Sequence, residues 1–325
     1  MSLDYFGQSS YEEKWNGLDL VYSCDKLVFT GSFAFGRIES MLGWLSQLRT
    51  FGVLAPSNVP WGYHLREVRF YEKMSVMSYR NNFVFEFYNE EDEKVSFYFG
   101  VGFNTSMGFA ESWKVEFNPN KILTNCAQWM RDFLLRLKDC SKVGGLTNSI
   151  EVKSYDIAID FPVARDCVLY EKGQRVHKLF MYSALNRTDY YGDSHKHGAT
   201  KIYNKALESG LARDLTRLEV TLQLDDYDSV RKYFEGLRVL QHGQMAMQDL
   251  GCSLKPNDRV FLELINMHPD YLSRLSYEKR KKFKPYLKDF VQPFVLSLKA
   301  FNHVVGWTSG FIFMKIGDIF GDDGR

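Results

Sequence analysis

The sequence is poor in the features that mark several large protein classes. Its five cysteines, Cys24, Cys126, Cys140, Cys167 and Cys252, are odd in number and form no CxxC pair. That argues against a disulfide framework and a cysteine zinc site, and leaves reduced core thiols. Net charge is almost absent, since 41 Lys and Arg stand against 40 Asp and Glu. Any polyanion must therefore meet a local concentration of positive charge. The most apolar late stretch, 290–320, is interrupted by Lys299, His303, Lys315 and several glycines, so no membrane span is expected. The opening MSLDYFGQSSYEEKW lacks the basic-then-apolar pattern of a secretion signal, and a cytoplasmic protein is expected. There is no P-loop, dinucleotide fingerprint, GxSxG or HExxH, which disfavours ATPase, Rossmann dehydrogenase and zinc-protease chemistry.

What is present is aromatic and strand-like. Aromatic residues make up 16% of 325 residues, mostly Phe and Tyr, and favour a sheet-rich core. Strands are predicted at 26–35, 65–72, 83–88, 95–103 and 112–119, with helices from Ile38 to Leu48 and from Ile122 to Leu137. After VGG (143–145) the pattern begins again, with strands at 154–161, 199–206 and 215–224 and a hairpin over 167–184. WKVEF and RLEVTL each lead into a helix and each carries one glutamate, Glu116 and Glu219. The fold class is α+β: a duplicated strand-rich αβ unit forming a large antiparallel sheet with helices on one face, plus C-terminal helices. The expected divisions are an N-terminal tail (1–25), a first half (26–145), a second half (146–250) and a helical, basic segment (251–325).

Alternation places candidate chemistry on strand faces. In SYDIAIDF, Ile157 and Ile159 face one side while Asp156, Ala158 and Asp160 face the other. Two carboxylates on one face repel unless neutralised, and a divalent metal with hard oxygen ligands is one solution. A solvated strand face is the other. In TRLEVTL, Glu219 shares a face with Arg217, either as a third ligand or as a surface ion pair. Glu116 holds the matching place in WKVEF. In ATKIYNKA, Tyr203 shares its face with Lys201 and Lys205. Flanking cations favour a phenolate and stabilise a transferring phosphoryl group, although an ordinary strand tyrosine among lysines reads the same way. His195 and His197 bracket Lys196 between glycines, which fits a polar loop better than a metal site. Over 271–299 there are eight Lys and Arg against Glu278 and Asp289, including Lys279, Arg280, Lys281, Lys282 and Lys284. Such a helix either binds duplex phosphates or is simply solvated.

Taken in order, VEFNPNK, YDIAIDF, YYGD…KIYNK and TRLEVTL resemble the Rep_trans-type initiators of rolling-circle plasmids and the related relaxases of integrative conjugative elements. The resemblance covers roughly residues 80–240. It implies a DNA nicking–closing enzyme acting through a 5′-phosphotyrosyl intermediate. Tyr203 would be the nucleophile, supported by Lys201 and Lys205. Asp156, Asp160, Glu219 and Glu116 would be the acidic positions holding Mg²⁺ or Mn²⁺. Origin DNA, presented as a hairpin or single strand, is the implied partner, with a host helicase and a second copy of the chain as further partners in the bacterial cytoplasm. A conjugative relaxase with the same chemistry, and a non-catalytic DNA-binding protein of the same fold, are the alternatives.

Overall fold

The computed structural model describes residues 10–34, 37–51, 64–72, 79, 81–88, 94–103, 111–121, 133–134, 136–137, 139–141, 150–170, 177–181, 187–193, 196–223, 225–240, 255–267, 271, 275–287 and 291–313. The chain opens with a hairpin of β1 (Tyr11–Trp15) and β2 (Leu18–Ser32), followed by helix α1 (Arg37–Phe51). Then come β3 (His64–Glu72), β4 (Asn81–Tyr88), β5 (Lys94–Phe103) and β6 (Glu111–Phe117). The second half runs β7 (Ile150–Phe161), β8 (Val168–Tyr170), β9 (His177–Met181), β10 (Arg187–Tyr191), β11 (Thr200–Asn204), the short helix α2 (Lys205–Glu208) and β12 (Thr216–Leu222). It closes with α3 (Tyr227–Arg231), β13 (Leu237–Leu240), α4 (Pro256–Met267), α5 (Tyr277–Leu287), β14 (Val291–Pro293) and α6 (Leu298–Phe313).

Eleven strands form one antiparallel sheet in the order β3-β4-β5-β6-β2-β7-β12-β11-β10-β9, with β1 added on β2. The order reads the same way outward from its centre. From β2 the sheet runs β6, β5, β4, β3, and from β7 it runs β12, β11, β10, β9. The expected duplication is therefore visible as two like halves joined along the β2–β7 pair. Glu116 lies opposite Val28 on β2 and Tyr98 on β5, while Glu219 lies opposite Ala158 on β7 and Lys201 on β11. The two glutamates occupy matching places. At the junction Lys26 faces Asp156, so the pseudo-twofold axis passes between them.

The apolar face builds the core. In the first half Phe85 stacks on Phe97 with ring centroids 4.5 Å apart, and Phe133 meets Phe85, Phe97 and Phe99 edge-on. In the second half Ile157, Ile159, Ile202, Leu218 and Val220 are buried, and α6 packs against β1, β2 and β7. One charged network belongs to this face. Asp189 is fully buried and accepts hydrogen bonds from Arg165, from Arg187 at 2.7 and 2.9 Å, and from His177 at 2.8 Å. Arg165 and Arg187 outweigh the burial penalty and hold the Asp189 carboxyl below the ordinary range.

Several sequence expectations are corrected. Residues 11–25 are not a tail: they form β1 and the first part of β2, joined by an Asn16–Gly17 turn with both φ values positive. Residues 168–170 do not pair with 177–181. They join a separate three-stranded sheet, β14-β13-β8, while β9 pairs with β10. The helix expected after RLEVTL is the short α3, and Leu237 lies beyond it in β13. Residues 122–132 of the second expected helix, the VGG boundary and His195 lie outside the described residues. Among those described, no helix is long and apolar enough to cross a membrane.

Candidate active site

The polar face of the sheet bears a cleft of about 460 Å³ across the junction of the halves. Tyr203 and Lys201 reach it from β11, Glu219 from β12, Asp156 from β7, Lys26 from β2 and Glu116 from β6. Strand alternation accounts for this convergence, since the apolar neighbours Ile202, Leu218, Val220, Ile157 and Ile159 all point into the core. Asp25 arrives by a different device. The β2–β7 register shifts between Cys24 and Lys26, and this bulge turns Asp25 into the cleft beside Lys26.

Tyr203 is 6% exposed, and its hydroxyl donates to Glu219 Oε1 at 2.6 Å. Lys201 Nζ stands 3.9 Å from the Tyr203 ring centroid and 3.5 Å from Glu219 Oε2. Lys205, the first residue of α2, lies 6.0 Å from the ring and ion-pairs with Glu208 at 2.6 Å. The flanking lysines were expected to favour the phenolate. The balance runs the other way. Burial and the adjacent Glu219 carboxylate push the Tyr203 phenol well above its ordinary value, with Arg217 opposing only in part. Burial also raises Glu219; Lys201 opposes it, while Asp25 and Asp156 add to it. The Tyr203 hydroxyl is the donor of this pair and Glu219 Oε1 the acceptor.

Each predicted acidic position has a cation at hand. Asp156 Oδ2 is 2.7 Å from Lys26 Nζ, and Glu116 Oε2 is 2.6 Å from Lys114 Nζ. Asp160 accepts two hydrogen bonds from Arg217, at 2.6 and 2.7 Å, and does not line the cleft. Arg217 is not the surface partner of Glu219. It instead pairs across strands with Asp160 and reaches Asp25 at 2.6 Å, where Asn118 also donates at 2.8 Å. Lys26 is held above the usual lysine range. Burial lowers it, but Asp156, Glu116 and Glu219 outweigh that.

The donor set suits a hard divalent cation by type. The cleft lining carries five carboxylates (Asp25, Glu116, Asp156, Glu208 and Glu219) against four lysines (Lys26, Lys121, Lys201 and Lys205), and Asp156 Oδ1 is buried with no hydrogen-bond partner. As arranged, however, no three Asp, Glu, His or Cys side chains among the described residues converge as metal ligands. His197 is engaged elsewhere. Its Nδ1 accepts from the Gln223 N–H at 3.1 Å, and its ring meets Tyr233 edge-on. The chemistry is one-sided. In the first half Tyr98 stands in the place of Lys201, and Gly100, opposite Lys114, stands in the place of Tyr203.

The basic segment forms α5. Lys282 pairs with Asp258 of α4 at 2.5 Å, and Lys279 lies 3.8 Å above the Phe261 ring. Lys281 is exposed, and the side chains of Arg280 and Lys284 lie outside the described set.

No protein-family model matches the chain, and no curated protein matches it. Among solved structures, a rolling circle replication initiator protein from Geobacillus stearothermophilus is similar over 70% of this chain and 89% of its own, with 12% identity and a TM-score of 0.31.

Proposed function

We propose that the chain is a DNA nicking–closing enzyme that initiates rolling-circle replication, with Tyr203 as the covalent nucleophile. The observation that carries this proposal is the Tyr203–Glu219 hydrogen bond beside Lys201, set in an open cleft. A phenol held protonated at rest needs a base at the moment of attack, and Glu219 Oε1 is already at hydrogen-bond distance. As the phenolic oxygen bonds to phosphorus, its proton passes to Glu219 and the P–O3′ bond breaks. The 3′-oxygen leaves and takes a proton from solvent water to become a hydroxyl, the hydroxide so formed is neutralised by the proton that Glu219 gives up, and the 5′-phosphate remains on Tyr203. Reversal closes the strand. Lys201 neutralises charge gathering on the phosphoryl oxygens, and Lys205 reinforces it from the start of α2.

Asp156, Glu219 and Glu116 would hold a divalent cation, Mg²⁺ or Mn²⁺, with Asp160 acting behind them as the anchor of Arg217. When bound, the cation would polarise the scissile phosphate. The cleft sits on a sheet face, so its substrate is a single strand or an extruded hairpin, with α5 as the element for flanking duplex. Origin DNA is the partner. A host helicase and a second copy of the chain would complete the initiation complex in the bacterial cytoplasm.

The test is nicking of supercoiled plasmid bearing the chain's own origin, in Mg²⁺ or Mn²⁺, by wild type and Tyr203→Phe. Wild type should relax the plasmid and the variant should not. Activity that survives the substitution removes Tyr203 from the chemistry. An inactive wild type that still binds the origin would point to a non-catalytic DNA-binding protein.

A further inference from the structure

The NPNK of VEFNPNK has no part in the nicking step proposed above. It forms the turn after β6, in which Pro119 is buried. Two asparagines tie this turn to the bulge of β2. Asn118 donates to Asp25 at 2.8 Å and accepts from the Asn120 N–H at 2.9 Å, while Asn120 donates to the Cys24 carbonyl at 2.8 Å. Lys121 leaves the turn exposed and lines the cleft. The other lysines of the cleft each meet a carboxylate: Lys26 meets Asp156, Lys201 meets Glu219 and Lys205 meets Glu208. Lys121 pairs with no carboxylate among the described residues.

The cleft also has two unlike ends. Its second-half lining is charged apart from Tyr203, whereas its other apolar lining, Val84, Phe97, Tyr98 and Phe117, comes from β4, β5 and β6 of the first half. Tyr98 is half-buried, and its hydroxyl donates to Asn82 Oδ1 at 2.6 Å, which fixes the ring. A nucleotide has the same two parts, a base with apolar faces and an anionic phosphate, and single strands are held by aromatic rings and cations set side by side.

We infer that the first half of the cleft is a nucleotide subsite: Tyr98 takes the base of a single-stranded residue next to the scissile phosphate, and Lys121 takes that nucleotide's own phosphate. The strand then crosses the β2–β7 junction, from the nucleophile on one half to its anchor on the other. This gives work to a half that lacks the nucleophile, since Tyr98 and Gly100 stand there in the places of Lys201 and Tyr203. Lys121 and Tyr98 are binding residues and touch no reacting atom. The inference rests on the single-strand substrate proposed above, yet its test needs no cleavage.

Tyr203→Phe serves as the parent, so that DNA is bound without being cut. Binding of a fluorescein-labelled oligothymidylate is followed by anisotropy over a series of salt concentrations. Lys121→Ala should weaken binding about fivefold and lower the slope of log K against log salt by about 0.7, the share of one single-strand phosphate contact. Tyr98→Leu should weaken binding about tenfold and leave the slope unchanged, as the loss of a stacking contact does. Tyr98→Phe, which keeps the ring, should bind as the parent does. An unchanged slope in Lys121→Ala, or unchanged affinity in a folded Tyr98→Leu, overturns the inference; if Tyr98→Leu does not fold, the Lys121→Ala slope decides. Wild type that fails to nick while both losses are seen removes the nucleophile and keeps the subsite. Nicking by wild type with neither loss does the reverse.

Discussion

Replacing Arg217 by Leu removes the group that ties Asp160 of β7 to Asp25 of β2. Arg217 makes three charged hydrogen bonds, two to Asp160 at 2.6 and 2.7 Å and one to Asp25 at 2.6 Å. Its side chain is 11% exposed, and those of Asp160 and Asp25 are 13% and 19% exposed. Removing one partner of such a set strands the other charges, which costs roughly 3–5 kcal/mol. Arg217→Lys can keep one contact but not the two-pronged fit to Asp160, so its cost is smaller, about 1.5–3 kcal/mol. With an m-value of about 3 kcal/mol/M, Arg217→Leu should move the urea midpoint down by roughly 1–1.7 M. Tryptophan fluorescence in urea at neutral pH reads the shift. Arg217→Leu combined with Asp160→Leu should lose less than Arg217→Leu alone, since one stranded carboxylate is then gone. A single variant within about 0.5 kcal/mol of wild type would refute the reasoning, because that is the range of an ordinary surface substitution.

Three further outcomes follow from other parts of the molecule. Asp189→Asn should cost about 3–5 kcal/mol by leaving Arg165 and Arg187 facing a neutral group, measured by the same denaturation. The folded Asp189 value lies below the unfolded one of about 3.9, so its stabilisation is complete above that pH and is lost as pH falls through the folded value. Acid unfolding should accordingly be less steep in Asp189→Asn. Gly198→Ala should destabilise by at least 1–2 kcal/mol, since φ is +80° there and a Cβ would strike the Tyr233 ring; a neutral result in thermal melts would contradict that contact. Lys281→Glu on exposed α5 should weaken duplex binding and lower the salt-dependence slope by about 0.9 for the lost phosphate contact, read by fluorescence anisotropy; an unchanged slope removes α5 from the interface.

The strand faces were legible because their pattern is local. Ile157 and Ile159 between Asp156 and Asp160, or Ile202 beside Tyr203, each need only a period of two. Asp25 and Lys26 were not legible as a site. A bulge breaks the period at that point, and nothing in CDK announces it. The first half of β2 alternates, with Leu18, Leu20, Tyr22 and Cys24 on one side and Asp19, Ser23 and Asp25 on the other, but the pattern stops at the bulge between Cys24 and Lys26. The Asn16–Gly17 pair was a usable signal for the β1–β2 hairpin. Arg217 was visible as a neighbour of Glu219 in sequence, but its true partner, Asp160, lies 57 residues away across a strand pair. The destination of β8 depends on β13 and β14, which no local pattern connects.

The central claim is that Tyr203 forms the bond to DNA. Wild-type protein incubated with an origin oligonucleotide and Mn²⁺, then digested and mapped by mass spectrometry, should yield one peptide bearing a 5′-nucleotide on Tyr203. Tyr203→Phe should yield none. A nucleotide on any other tyrosine, or an adduct that persists in Tyr203→Phe, would contradict the account.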